Sequence, residues 1–332
     1  MNQKDFFSGK NVLVTGGAGS IGKELVKHLM NTGARTIRVL DTNETGLFDL
    51  AHELNANLVG DPRLRFLLGD ITDQNRLITA MENVQVVFHA AALKHVPVCE
   101  YNPFEAAKIN VMGTQNCIDA ARRSHVQKFV FISTDKAVSP FSVMGATKLV
   151  AERLVLASNI FSKDTAFSCV RFGNVLNSRG SVVPVFKSQI LQGGPVTVTD
   201  PAMTRFFMTL SQAVRLILTC AEESRGDEVY VLKMPAMRIL DLARAMIAYM
   251  HATYETPADI AIECVGIRPG EKLFEELIST DEIGRLEDRG QYFTLSRTPL
   301  RAEPKIGFSY ASNRADLLTV DEIVGLLQEI SV

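Results

Sequence analysis

The run Thr15-Gly16-Gly17-Ala18-Gly19-Ser20-Ile21-Gly22 constrains this chain more than any other feature. It follows a short β-branched apolar stretch, Asn11–Thr15, and opens an amphipathic pattern, Ser20–Asn31, in which Ile21, Leu25 and Leu29 share one face. A strand that turns through glycines directly into a helix suits phosphate, because backbone N–H groups and the positive end of the helix converge at the turn. Gly16 permits the tight turn, Gly19 lets backbone N–H groups approach a pyrophosphate, and Gly22 allows close packing of helix on sheet. Ser20 is the expected cap, with Gly33 following the end. The competing reading is a flexible surface loop, which leaves the flanking strand and helix unexplained.

From Asn11 to about Arg171 the same rhythm repeats. Strands are expected at Asn11–Thr15, Thr36–Leu40, Leu64–Leu68, Gln85–His89, Lys128–Ile132 and Ala166–Arg171. Their apolar runs are continuous rather than alternating, as in strands covered on both faces. Helical patterns fill Glu44–Leu58, Pro103–Ser124 and Val143–Phe161. Alternation of this kind predicts an α/β fold with a doubly wound parallel sheet of the Rossmann type. After Arg171 the pattern loosens into glycine- and proline-rich turns separated by short elements, which predicts a smaller C-terminal α/β substrate-binding lid. The expected division is residues 1–172 for the dinucleotide and 173–332 mainly for the substrate, with some exchange of segments.

Asp41 ends the second strand about twenty residues after the glycine turn. There a carboxylate accepts both adenosine ribose hydroxyls and repels a 2′-phosphate, which favours NAD over NADP; the alternative is a cap for the helix beginning near Glu44. Asp70 and Ile71 after the third strand, and Ala90, Ala91 and Ala92 after the fourth, sit at carboxyl ends of strands, where ligands lie in this architecture. The formal net charge of −2 gives no footprint for nucleic acid or an anionic membrane. Five scattered cysteines without a C-x-x-C pair argue against a disulfide framework and a zinc site. With no apolar run long enough to span a bilayer and no signal-peptide core at the start, a cytoplasmic protein is expected.

Ser133-Thr134-Asp135-Lys136 follows the fifth strand and Met144-Gly145-Ala146-Thr147-Lys148 opens the next helix, so both segments are expected to face the nicotinamide. With the glycine turn and Arg171-Phe172-Gly173-Asn174-Val175, these runs resemble extended short-chain dehydrogenases. Ala92-Leu93-Lys94-His95-Val96-Pro97, Glu100-Tyr101-Asn102-Pro103, Met203-Thr204-Arg205-Phe206 and Arg268-Pro269-Gly270-Glu271-Lys272-Leu273 are similar to UDP-N-acetylglucosamine 4,6-dehydratases and their capsule and flagellin-glycan relatives. The likeness covers essentially the whole chain. The superfamily places a tyrosine where this chain has Met144, and one branch of the dehydratases shares that methionine.

The resemblance implies an internal redox reaction on a UDP-N-acetylhexosamine. Hydride leaves sugar carbon 4 to NAD, water is lost across carbons 5 and 6, and hydride returns to carbon 6. It implies that Asp135 protonates the leaving hydroxyl and that Lys136 removes the carbon 5 proton, which calls for an amine partly neutral near neutral pH. Burial and the positive nicotinamide are expected to lower Lys136 toward that state. Thr134 would hydrogen-bond the hydroxyl on carbon 4 and Lys148 would hold the nicotinamide ribose. The acceptor for the carbon 4 proton stays open between Lys136 and a water held by Lys148. By the same resemblance Asn174 holds the ligand's phosphates and Glu271 accepts the uridine ribose hydroxyls. Arg205 and Arg268 would clamp the pyrophosphate, since a guanidinium matches phosphate geometry; surface salt bridges are the alternative. Lys94 and His95 are candidates for the sugar pocket, and His95 is equally explained as a structural residue. A UDP-sugar 4-epimerase and a non-enzymatic NAD-binding regulator are the competing functions. A homo-oligomer is expected by analogy.

Overall fold

A computed structural model describes residues 6–54, 62–297, 309–330 and 332. Its centre is a nine-stranded sheet. Seven strands run parallel: β1 (Asn11–Thr15), β2 (Thr36–Asp41), β3 (Leu64–Leu68), β4 (Val86–His89), β5 (Lys128–Ile132), β6 (Ala166–Arg171) and β7 (Val229–Leu232). The short strands β8 (Leu286–Asp288) and β9 (Tyr292–Leu295) finish one edge in antiparallel fashion. The spatial order is β8-β9-β7-β6-β5-β4-β1-β2-β3. The chain therefore reverses direction across the sheet between β1 and β4, and that reversal opens a crevice at the carboxyl ends of the strands.

Every residue of β1 and β4 is buried, as their unbroken apolar sequence predicts. β3 departs from that expectation: it is the sheet edge, and Leu68 is 54% exposed. The helix expected over Glu44–Leu58 spans Glu44–Glu53 in the described chain, and residues 55–58 of that expectation lie outside the described residues. Asn43 caps it by accepting a hydrogen bond from the Gly46 N–H at 2.9 Å. The helix Val143–Ala157 stops four residues short of the expected Phe161 and ends in a 3₁₀ turn.

The helix expected over Pro103–Ser124 is interrupted. Pro103–Ala107 and Thr114–Arg123 are α-helical, and between them Lys108–Gly113 widens into a π-turn. Such turns are often found near functional sites, and this one carries the buried Asn110. Its amide donates to the Leu93 carbonyl at 3.0 Å and to Thr147 Oγ1 at 3.0 Å, and its oxygen accepts from the Leu93 N–H at 2.8 Å. Asn110 thus pins the loop after β4 to the helix that carries Lys148.

Beyond Arg171 the chain builds a second apolar core, with Phe186, Met237, Met246, Ile323 and Leu327 among its buried side chains. A three-stranded sheet there orders Ala236–Arg238, Thr204–Met208 and Asn174–Val175. Two two-stranded pairs, Val196–Val198 with Ile262–Cys264 and Glu276–Ile278 with Tyr310–Ala311, complete it.

Candidate active site

The crevice is a cleft of about 770 Å³, in the range that holds small ligands and cofactors. Gly16, Gly19, Ser20, Ile21 and Gly22 form one end of its lining. Gly16 has a φ of +67°, and a Cβ there would come within 2.5 Å of the Ala91 N. A Cβ on Gly22 would meet the Gly16 carbonyl at 2.3 Å. Both positions therefore require glycine, and Gly19, Ser20, Ile21 and Gly22 at the helix start line the cleft. Ser20 does not cap this helix: the cap residue is Gly19, and the Ser20 hydroxyl instead accepts from the Arg179 N–H at 3.0 Å. The serine sits one residue inside the helix, past the position from which a side chain can reach back to the cap.

Asp41 lines the cleft at the end of β2. One carboxylate oxygen accepts from the Ala18 N–H and the other from the Asn43 N–H, both at 2.9 Å. It therefore fixes the glycine turn from below, while Asn43 does the capping. Asp70, Ile71, Ala90, Ala91, Ala92 and Ser133 line the same cleft. These walls fit a dinucleotide: a glycine cradle for the phosphates, a carboxylate about one strand away, and small residues opposite.

Thr134, Lys136, Met144, Lys148 and Asn174 also line the cleft. Lys148 is buried, with its ammonium 2.5 Å from the Ile132 carbonyl and 3.9 Å from the centre of the Phe131 ring. Burial pushes its pKa down to about 7, with Cys169 and Glu152 offsetting part of the effect. Between about pH 7 and the ordinary lysine value of about 10.4, the unfolded chain binds this proton and the folded chain does not. The stability of the ligand-free protein is therefore expected to rise with pH across that window and to level off below it. Lys148→Met should flatten the rise, as read from urea titrations at a series of pH values.

Asp135 is fully buried and does not line the cleft. Its Oδ1 accepts from Thr134 Oγ1 at 2.8 Å and from Lys136 Nζ at 3.0 Å. Lys136 also donates to Asn174 Oδ1 at 3.3 Å and lies 3.8 Å from Glu275 Oε1. Burial alone would lower the Lys136 ammonium, but Asp135 and Glu275 outweigh it and hold the group above its ordinary value. This reverses the expected direction: the neighbouring Asp135 is the larger influence, and Glu275, 139 residues away in sequence, adds to it.

Lys94 and His95 line the cleft where the chain 178–181 crosses it. Lys94 Nζ donates to the Arg179 carbonyl at 2.8 Å, and the His95 ring packs on Gly180. Arg205, Arg268 and Glu271 do not line the cleft. Arg205 is buried, and its guanidinium donates to the carbonyls of Thr204, Lys272 and Leu273. Arg268 is exposed, and its N–H donates to Glu271 Oε2 at 3.3 Å.

Three further charged groups frame the site; Arg171 opens the Arg171–Val175 run, whereas no motif announces Glu152 or Glu282. Arg171, 1% exposed, lies between Glu152 and Glu282, with hydrogen bonds to Glu152 at 2.5 and 2.9 Å and to Glu282 at 2.7 and 2.8 Å. Ser133 Oγ donates to Glu152 at 2.8 Å, so this buried trio backs the cofactor wall. Among the described residues no group of three or more His, Cys, Asp and Glu side chains could hold a metal ion, and no helix is long and apolar enough to cross a membrane.

A protein of Methanocaldococcus jannaschii, named an uncharacterized membrane protein, is 52% identical over 330 residues, 98% of each chain. A UDP-N-acetylglucosamine 4,6-dehydratase (inverting) of Campylobacter jejuni is 40% identical over 307 residues, 91% of this chain and 87% of that one. A UDP-glucose 4-epimerase of Rickettsia rickettsii is 35% identical over 338 residues, 97% of this chain and 96% of that one. Among solved structures, Pen from Bacillus thuringiensis superposes with a TM-score of 0.92 at 40% identity, covering 98% of this chain and 99% of that one. DesIV, a dTDP-glucose 4,6-dehydratase from Streptomyces venezuelae with NAD and TYD bound, gives a TM-score of 0.69 at 25% identity over 79% of this chain and 86% of that one. The family model for polysaccharide biosynthesis proteins matches residues 12–297. With its glycine-cradled cleft on a doubly wound sheet, this chain belongs to the polysaccharide biosynthesis protein family of extended short-chain dehydrogenases.

Proposed function

We propose that this protein is a nucleotide-sugar 4,6-dehydratase that converts a UDP-N-acetylhexosamine, UDP-N-acetylglucosamine foremost, to its 4-keto-6-deoxy derivative for surface glycan synthesis. The observation that carries the reading is the Lys136–Asp135 pair, joined at 3.0 Å and connected to the cleft through Thr134. Elimination of water needs a base and an acid in the same step. An ammonium–carboxylate pair contains one proton. Moving that proton across the hydrogen bond yields a neutral amine and a carboxylic acid, which are the base and acid required.

A nicotinamide dinucleotide, when bound in the glycine cradle, supplies the acceptor and later the donor of hydride. The rest of the work falls to side chains. Lys148 holds the nicotinamide ribose, and Thr134 holds the sugar hydroxyl. Lys136 takes the proton from carbon 5. Because Asp135 is closed off from the cleft, its proton reaches the leaving hydroxyl through Thr134 Oγ1, which passes one proton on as it receives another. Lys136 then carries a proton and Asp135 a negative charge, and water is released. As hydride returns to carbon 6, Lys136 gives a proton back to carbon 5. The proton lost earlier by the carbon 4 hydroxyl, held by the water on Lys148, passes to the pair and restores its resting state. Asn174, which accepts from Lys136, contacts the substrate's phosphates in this reading, as the resemblance implies. Arg205, Arg268 and Glu271 are the proposed nucleotide grip by resemblance. In this reading residues 1–172 hold the cofactor and residues 173–332 mainly the nucleotide sugar. A homo-oligomer in the cytoplasm completes it, and analytical ultracentrifugation of the purified chain checks the oligomer.

NAD is the proposed cofactor. Asp41→Asn removes the charge that would repel a 2′-phosphate and weakens the bonds to the ribose and to Ala18. A hydrogen bond to a charged group contributes about 1.5–3 kcal/mol, so NAD affinity should fall roughly ten- to a hundredfold while NADP affinity rises. Calorimetric titration with each dinucleotide reads both changes, and unchanged discrimination would count against Asp41 as the selector. The 35% identity to a UDP-glucose 4-epimerase keeps a UDP-sugar 4-epimerase as the second reading. Epimerisation has no use for a paired acid and base, and it leaves substrate mass unchanged, whereas dehydration removes one water. A non-enzymatic NAD-binding regulator would show neither.

A further inference from the structure

Glu275 immediately precedes the strand Glu276–Ile278, is 3% exposed and does not line the cleft. Its Oε1 lies 3.8 Å from Lys136 Nζ and 3.9 Å from Arg205 Nε. Its Oε2 is buried without a hydrogen-bond partner among the described residues, as is Asp135 Oδ2. The backbone is clamped at this point. The Glu275 N–H donates to Ser312 Oγ at 3.1 Å, the Ser312 N–H returns a bond to the Glu275 carbonyl at 2.9 Å, and Ser312 Oγ lies 2.9 Å from Thr204 Oγ1. A buried carboxylate with an idle oxygen is costly, and a fold that only needed shape could place an apolar residue here.

We propose that Glu275 is a positioning residue for the elimination: as a second counter-carboxylate beside Asp135 it acts through Lys136 and sets the pH range in which the Lys136–Asp135 pair passes its proton. The role rests on the dehydratase reading. The charged groups acting on Glu275 are Lys136 and Asp135 from the turn after β5, Arg205 from the strand Thr204–Met208, and Lys272 from its own segment. Burial pushes the Glu275 carboxyl up, Lys136 and Arg205 pull it down, and Asp135 adds to the rise. Lys136 in turn is held above its ordinary value by both carboxylates against the effect of burial. The pair loses its single proton, and with it activity, at the alkaline limb of the rate profile. Removing the charge of Glu275 must bring that limb to lower pH.

The test is the pH profile of kcat for the wild type, Glu275→Gln and Glu275→Asp, beside an NMR titration of lysine ε-carbons in which Lys136→Arg assigns the Lys136 signal. The expected result is an alkaline limb lower by roughly one pH unit or more in Glu275→Gln, partial recovery in Glu275→Asp, and a parallel displacement of the Lys136 titration. A uniform fall in kcat with unmoved limbs would show a packing role only and overturn the proposal. Should Glu275→Gln not fold, Glu275→Asp carries the test, with a smaller shift in the same direction expected and an unmoved limb overturning it. The lysine titration separates the two readings. No displacement overturns the role of Glu275 whatever the reaction, whereas a displacement in an enzyme that does not dehydrate overturns the dehydratase reading and leaves Glu275 in control of Lys136.

Discussion

Lys136→Ala should reduce dehydration roughly a hundred- to ten-thousandfold in kcat, the range that a positioned general base supplies. Alanine also strands Asp135 and Glu275, two buried carboxyls that share this ammonium, so part of the loss in that variant would reflect a disturbed site. Lys136→Arg separates the effects. A guanidinium keeps the positive charge between the two carboxyls and stays protonated at any working pH, so it preserves the local balance but cannot accept a proton. The arginine variant should fold, hold cofactor as the wild type does, and still fail to exchange the carbon 5 hydrogen. Retention of more than a tenth of wild-type turnover in either variant would exclude Lys136 as the base.

The largest effect on stability is expected at Arg171. Arg171→Met leaves Glu152 and Glu282 facing an apolar side chain in the interior, and breaking a buried pair in this way costs about 3–5 kcal/mol. The pH dependence carries a definite sign. In the wild type, burial would raise the Glu282 carboxyl, but hydrogen bonds from Arg171 and its charge outweigh that and hold it below its ordinary value. Its contribution to stability is therefore full above the ordinary carboxyl range and is lost as the pH falls through the lowered value. In the variant only the Ser279 N–H and Arg285 still oppose burial, so the Glu282 carboxyl rises and the penalty eases as the pH falls and it becomes neutral. The gap between the two proteins in urea unfolding should narrow from neutral to mildly acidic pH. Since Ser133 hangs on Glu152, cofactor affinity should weaken alongside stability. A variant as stable as the wild type at neutral pH would sink this account of the trio.

The large parallel sheet and its glycine turn are legible in the sequence because their signals are local. The glycine turn, Asp41 and the six apolar strands each report on a stretch of a few residues, and all six strands appear within one residue of where the pattern puts them. The interruption at Lys108–Gly113 is not legible, because a π-turn leaves the 3.6-residue pattern nearly intact and is specified by what Asn110 reaches across the fold. The trio Glu152–Arg171–Glu282 and the position of Glu275 are also hidden. Arg171 opens a recognisable run but its partners are ordinary charged residues in sequence, and the return of the C-terminal segment brings Glu282 to Arg171 and Glu275 to Lys136. The direction of the Lys136 shift is partly hidden for the same reason: Asp135 beside it in sequence is the larger influence that opposes burial, and Glu275 joins it only through the fold. Arg268 and Glu271 mark the opposite failure, a motif whose residues are not gathered into the cleft of the ligand-free protein.

The central claim is most directly tested by incubating the NAD-loaded protein with UDP-N-acetylglucosamine in deuterated water and following the sugar by mass spectrometry and NMR. The account predicts a 4-keto-6-deoxy product that has lost one water and carries deuterium at carbon 5, with no such product from Lys136→Arg. A carbon 4 epimer of unchanged mass, or no turnover despite full cofactor occupancy, would contradict it.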